Sequence, residues 1–288
     1  MLDEPWVDAL LLLELSAPGH FKASSLTYLL RSQRVAEPEV QCARFCELLE
    51  EQQDAADQNG ETALMHLCRC NPQLLSLDWA DALVRRQAGR RAARGQTALM
   101  QLFRAERLGE TDLDAPWFHT LFRIENDAES DGGWTQLMHL CSTNATVLYQ
   151  QRWFSDMLLD QADSVTVLGT TAASCLVKHL QRDVDFASPL FRRLWRPVSQ
   201  SPARLLDVIA SDAPVLLNRN SRFVRALIDA AAAQKCRADF AFEQAAASGW
   251  AINLSCDTFL LLATAASSLR GRTPDEFLGE RRQAQLLL

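Results

Sequence analysis

Gly60-Glu61-Thr62-Ala63-Leu64-Met65 returns down the chain as Gly95-Gln96-Thr97-Ala98-Leu99-Met100 and Gly133-Trp134-Thr135-Gln136-Leu137-Met138, and more weakly as Gly169-Thr170-Thr171-Ala172. The glycines stand 35, 38 and 36 residues apart. Self-similarity at such a period marks stacked structural repeats, in which each unit buries its apolar face against its neighbours. The glycine supplies a permissive turn, and the threonine two positions on caps a helix through its hydroxyl. Leu64, Leu67 and Cys68 then follow at helical spacing, as do Leu99, Leu102 and Phe103, and Leu137, Leu140 and Cys141.

A second register, independent of the first, predicts a second helix in each unit. Its apolar pairs are Phe45 with Leu49, Trp79 with Leu83, Trp117 with Leu121, Phe154 with Leu158, Leu190 with Leu194, Phe223 with Leu227, and Phe259 with Ala263. Degraded first helices extend the array outward, from Ser24 to Leu30 and from Ala203 to Ile209. The expected organisation is a capping helix within 1–18, repeats over 19–180, divergent helical repeats over 181–270 and a tail over 271–288. The fold class is all-α, a helical-hairpin solenoid.

Composition agrees. Glycine (11), proline (10) and tyrosine (2) are sparse, and 48% of residues are hydrophobic, which favours helices over a β-sandwich. The formal charge of −7 counts against a nucleic-acid binder, whose affinity comes from neutralising phosphates with Lys and Arg. The eight cysteines fall partly at repeat core positions and read as small buried hydrophobes in a reducing compartment. The apolar run 9–13 stops at Glu14, short of a membrane span, and the N-terminus is acidic where a secretory signal is basic. The expectation is a cytoplasmic, monomeric protein without a membrane segment.

The Gly-x-Thr-Ala-Leu-Met-x-Leu string resembles the ankyrin repeat, whose unit opens Gly-x-Thr-Pro-Leu-His-x-Ala. The likeness is good in the units at Gly60, Gly95 and Gly133, marginal at Gly169 and poor elsewhere. Ala63, Ala98 and Gln136 stand where the family has proline, and Met65, Met100 and Met138 where it has histidine. Leu67-Cys68, Leu102-Phe103 and Leu140-Cys141 replace a pair of alanines, and the period exceeds the usual 33. A generic helical hairpin of the HEAT type is the alternative architecture. The resemblance implies a protein-binding scaffold whose partner lies across finger loops and a concave groove.

Projecting the first helices onto one another selects candidate contact residues. One outward row, four after the threonine, reads Tyr28, His66, Gln101, His139, Cys175 and Asp207. A second row, three further on, reads Arg31, Arg69, Arg104, Ser142 and Lys178, a basic stripe suited to a carboxylate-rich partner. Trp134 stands at a finger position where other units carry Glu61, Gln96 and Thr170, which makes it a hot-spot candidate. Trp79 and Trp117 fall at the repeating core position and read as packing.

No metal or cofactor is expected. Cys68 and Cys141 occupy the slot that Phe103 and Leu30 fill elsewhere, and a slot that accepts Phe is a packing slot. The acidic segment 125–132 has a calcium-loop look, but with Gly132 as the sixth position of the loop the twelfth would be Met138, where coordination needs glutamate. There is no phosphate loop, dinucleotide fingerprint, nucleophile elbow or metalloprotease motif. Cys175 and His179 share a helix face at a spacing common by chance. The reading is a non-enzymatic scaffold, with an enzyme hidden in the divergent C-terminal half as the alternative.

Overall fold

The computed structural model describes residues 25–31, 40–41, 43–105, 108, 110–149, 158–180, 183–195 and scattered positions between 202 and 230. The capping segment 6–15, Phe154, Phe259 and the tail lie outside these residues. By its contacts the chain divides into two compact units, Met1–Arg152 and Trp153–Leu288, so the division falls inside the segment expected as repeats. The described residues are rich in helix and contain no strand beyond two isolated bridges, Ala56 with Thr62 and Glu129 with Thr135.

In the first unit α1 (Ser25–Arg31), α3 (Ala63–Cys70), α5 (Ala98–Arg104) and α8 (Gln136–Thr143) pack side by side in chain order. Between them run α2 (Ala43–Gln52), α4 (Asp78–Gln87), the short α6 (Glu110–Leu113) and α7 (Pro116–Glu125), with α4 against α7. Leu64, Leu67, Cys68, Leu99, Leu102, Phe103, Leu137, Leu140 and Cys141 are all sealed from solvent. Each such leucine contributes about 2 kcal/mol of transfer free energy. Phe103 fills the slot held by Cys68 and Cys141, its ring 6.5 Å from Phe118 of α7. Cys68 shows what that environment does: burial raises its thiol pKa well above the ordinary value. Of the second-helix core positions, Phe45, Leu83, Trp117 and Leu121 are buried. Trp79 is only half-buried and meets Phe45 edge-on at 4.9 Å.

The glycine and threonine roles are visible atom by atom. Gly60, Gly95, Gly133 and Gly169 have φ of 74°, 70°, 75° and 76°, a conformation in which a Cβ is strained. In each tight turn the glycine N–H donates to the carbonyl three residues back, of Asp57, Ala92, Ser130 and Thr166. Those four residues in turn donate to the carbonyls of Glu61, Gln96, Trp134 and Thr170. Neighbouring fingers are joined: Ala93 N–H donates to Asn59 O (2.7 Å) and Asp131 N–H to Arg94 O (3.1 Å). The hydroxyls of Thr62, Thr97 and Thr135 accept from the N–H groups of Met65, Met100 and Met138 at 3.4, 3.5 and 3.3 Å, long but repeated caps.

A third periodic device was not legible as such. Near the C-terminal end of each second helix a side chain reaches the start of its own unit's first helix. Gln52 accepts from Leu26 N–H (2.9 Å), Gln87 from Leu64 N–H (2.7 Å) and Glu125 from Leu99 N–H (2.7 Å). Each satisfies a helix-start N–H that lies buried and has no intrahelical acceptor. Buried asparagines then tie successive first helices together. Asn71 donates to Leu30 O (2.6 Å), and Asn144 to Phe103 O (2.8 Å) and Ala105 O (2.6 Å).

The second unit repeats the finger at Gly169, followed by α9 (Ala172–Leu180), where Thr171 caps Ser174 N–H at 3.2 Å. Ser188 caps α10 (Pro189–Leu194) through Phe191 N–H at 3.1 Å. Phe186, Phe191 and Phe223 form an aromatic cluster, with Phe186 stacked on Phe223 at 4.2 Å. Leu205, Leu206, Ile209, Val224 and Leu227 are buried.

Candidate functional site

The row expected to face outward is instead buried. His66 and Gln101 are 1% exposed and His139 6%, and Cys175 and Glu61 are buried with them. The reason is local: the finger folds back over the start of the helix, so this position lies beneath the turn. Finger side chains meet His66 Nε2 (Asp57) and Gln101 Nε2 (Gln96) there. Tyr28's side chain and Asp207 lie outside the described residues.

Around Gly60 the side chains form one connected network. Asp57 Oδ1 accepts from the N–H groups of Asn59 (2.8 Å) and Glu61 (2.9 Å), shaping the turn, while its Oδ2 lies 3.3 Å from His66 Nε2. Arg69 donates to Glu61 Oε1 and Oε2 at 3.0 and 3.2 Å, a bidentate pair. Arg69 also donates to His66 Nδ1 at 2.8 Å. An arginine only donates, so Nδ1 accepts and the imidazole proton sits on Nε2, facing Asp57. Burial and Arg69 depress the His66 pKa, against the opposing pull of Glu61 and Asp57. Across the unit boundary, Gln101 Nε2 donates to Glu61 Oε1 at 3.2 Å.

Asp57, Glu61 and His66 bring one ligand atom each within 4.8 Å of one another, a geometry able to gather around a cation. Arg69 occupies that role already. Its guanidinium neutralises Glu61 and holds His66, and a metal ion would have to work against that fixed positive charge. The acidic segment 125–132 opens on a carboxylate that is already committed. Glu125 is 1% exposed and turned into the interior, accepting from Gly89 N–H and Leu99 N–H at 2.7 Å each. Burial raises its pKa above the usual carboxylate value.

The second row divides. Arg31, Arg104 and Lys178 are exposed, Ser142 is half-buried, and Lys178 belongs to the second unit. Arg69 is committed to Glu61. Arg104 has no carboxylate partner among the described residues, whereas Arg85 pairs with Asp81 and both Arg86 and Arg90 with Asp54 on the second-helix side.

Arg104 borders an open cleft of about 450 Å³ lined also by Gln96, Ser130, Trp134, His139, Ser142 and Thr143. Trp134 is half-buried, its indole 5.3 Å from the His139 imidazole, and its backbone N–H is held by Ser130 Oγ at 3.2 Å. The indole thus forms a wall of the cleft and partly covers its own helix. His139 Nε2 is buried without a hydrogen-bond partner among the described residues. Burial, and then the charge of Arg104, lower the His139 pKa to about 4, so the ring is neutral at pH 7. Sequence reasoning found Trp134, Arg104 and His139 but gave no sign that they share one cleft. Among the described residues, no helix is long and apolar enough to cross a membrane.

Compared with known proteins, the chain matches no family model, and no curated protein matches it.

Proposed function

We propose that this chain is a non-catalytic protein-binding module built of ankyrin-like helical-hairpin repeats. It engages one partner protein through the finger loops and first-helix face of its first unit. A monomer acting in the cytoplasm, without cofactor, is part of the same reading. The observation that carries it is the recurrence of one finger and cap at Gly60, Gly95 and Gly133, with a second helix returning against the first in the units at Gly60 and Gly95 and each finger hydrogen-bonded to the next. That arrangement sets equivalent positions side by side, as a binding surface spanning several units requires. The fingers favour the ankyrin-like unit over a HEAT-type hairpin, which has no such loop. An aromatic residue and a cation with no carboxylate partner among the described residues, beside one open cleft, are the residue types that dominate binding energy at interfaces.

The test is affinity purification with the full chain, quantified by mass spectrometry, for the wild type and for Trp134→Ala. A partner retained by the wild type and depleted by the variant, with thermal stability little changed, supports the reading. Identical recovery from both, or a variant that loses stability in step with binding, contradicts the role given to this face.

A further inference from the structure

Each unit of the first domain repeats the same positions, so the unit at Gly60 shows what the equivalent positions at Gly95 lack. At Gly60 the finger residue is Glu61, and its carboxylate sits between Arg69 of its own helix and Gln101 of the next. One unit on, the finger residue is Gln96, the helix cation is Arg104 and the next helix offers His139. Gln96 Oε1 accepts from Gln101 Nε2 at 3.1 Å, so the side chain lies in the equivalent place but brings no charge. His139 loses its acid as well. Its counterpart His66 faces Asp57, while the residue equivalent to Asp57 beside His139 is Ser130, whose hydroxyl is engaged by Trp134 N–H. Among the described residues, therefore, the cleft is lined by Arg104, a cation without its carboxylate, and by His139, whose Nε2 has no partner, and by no acid.

We infer that the cleft between the units at Gly95 and Gly133 is a carboxylate-recognition site. It takes a Glu or Asp side chain from an acidic segment of a partner protein, at the place that Glu61 holds for itself one unit earlier. The inference rests on the protein-binding reading above and names the chemistry of its partner. Arg104 presents two N–H groups to the incoming carboxylate, as Arg69 does to Glu61. His139 lines the same cleft. An exposed ion pair is weak alone, so the carboxylate must arrive on a longer chain. Trp134 supplies the apolar wall against which that chain packs.

The test uses the full-length protein with ¹⁵N-labelled tryptophan and follows the Trp134 indole N–H signal, assigned with Trp134→Phe. The titrants are two capped, amidated peptides, acetyl-Glu-Glu-Leu-Glu-amide and its glutamine analogue acetyl-Gln-Gln-Leu-Gln-amide. The glutamate peptide should shift the signal saturably and the glutamine peptide should not. Arg104→Gln should weaken binding about tenfold or more. Gln96→Glu is the sharper variant. It supplies the missing acid internally, so it should keep or raise the melting temperature and still weaken peptide binding about tenfold. Arg85→Gln, on the second-helix side, should bind as the wild type. Equal shifts with both peptides, no shift with either, or undiminished binding by a folded Gln96→Glu variant overturns the inference. If the inference fails but Trp134→Ala still loses a purified partner, the protein-binding reading stands without it.

Discussion

Glu125 carries the prediction most directly tied to this architecture. Its carboxylate is 1% exposed and accepts two N–H groups at 2.7 Å, from Leu99 near the start of α5 and from Gly89 in the turn after α4. Leu99 N–H belongs to the first turn of a helix and has no intrahelical acceptor, and water cannot reach it. Glu125→Ala orphans both donors. Leu99 N–H lies in the interior and costs about 1–3 kcal/mol when left unmet, whereas Gly89 is exposed and its N–H can turn to water. Removing a buried charge offsets part of this, since burial already raises the Glu125 pKa. The net loss should be about 1–3 kcal/mol. Glu125→Gln should cost clearly less, because Gln87 serves Leu64 N–H with an amide oxygen in the preceding unit. The assay is hydrogen exchange by mass spectrometry on the intact chain, reading peptides from 98–104 and 116–125. Protection in both should fall together in Glu125→Ala, with peptides from the second unit unchanged. Wild-type protection at 98–104 would show that the carboxylate does not secure this hairpin.

Acid should weaken the first unit through His139. Its folded pKa of about 4 lies below the ordinary 6.5, so between those values the unfolded chain takes up a proton that the folded one refuses. About 3 kcal/mol is therefore present above pH 6.5 and lost as pH falls to 4. His139→Gln, which installs the residue that α5 carries at Gln101, should flatten this part of a stability-against-pH curve, leaving the slope from His66, whose pKa is also lowered. An unchanged curve refutes it. Gly60→Ala and Gly95→Ala share the strain of positive φ, about 1–2 kcal/mol. Only the Cβ at Gly95 meets a neighbour closely, 2.7 Å from Asp131 Oδ1 and 3.0 Å from Asp131 N. Thermal melts should therefore show the larger loss at Gly95, and equal losses would contradict the finger-to-finger contact. Arg104→Glu should slow association with the purified partner, most at low salt, whereas Arg85→Glu should not. Equal rates would remove Arg104 from the encounter.

Much of the fold was legible because its determinants are local. A glycine forced to positive φ, a threonine hydroxyl at a helix start and leucines at helical spacing each announce themselves, and the structure uses all three at the units tested. Periodicity also places a residue at an angle around its helix. It cannot say what lies over it, and for that reason His66, Gln101 and His139 were expected outside and are found beneath the fingers. The hairpin-securing residues Gln52, Gln87 and Glu125 do recur with the glycine period, but they are polar, and a search for apolar repeats passes over them. Glu125 was read as the first residue of an acidic loop, although it is the buried end of a helix. Likewise, the difference between Arg69 and Arg104 depends on a finger residue eight positions upstream, Glu61 or Gln96, and becomes visible only once the finger is known to fold back.

The most direct measurement is site-specific photo-crosslinking. A benzophenone amino acid placed at Ser142, beside the cleft, should capture one discrete protein partner in cells. The same group at Gln73, exposed in the turn after α3, should capture none or only a diffuse background. Equal capture from both positions, or none from Ser142 while the wild type still retains a partner, would contradict the assignment of the finger and first-helix face as the binding surface.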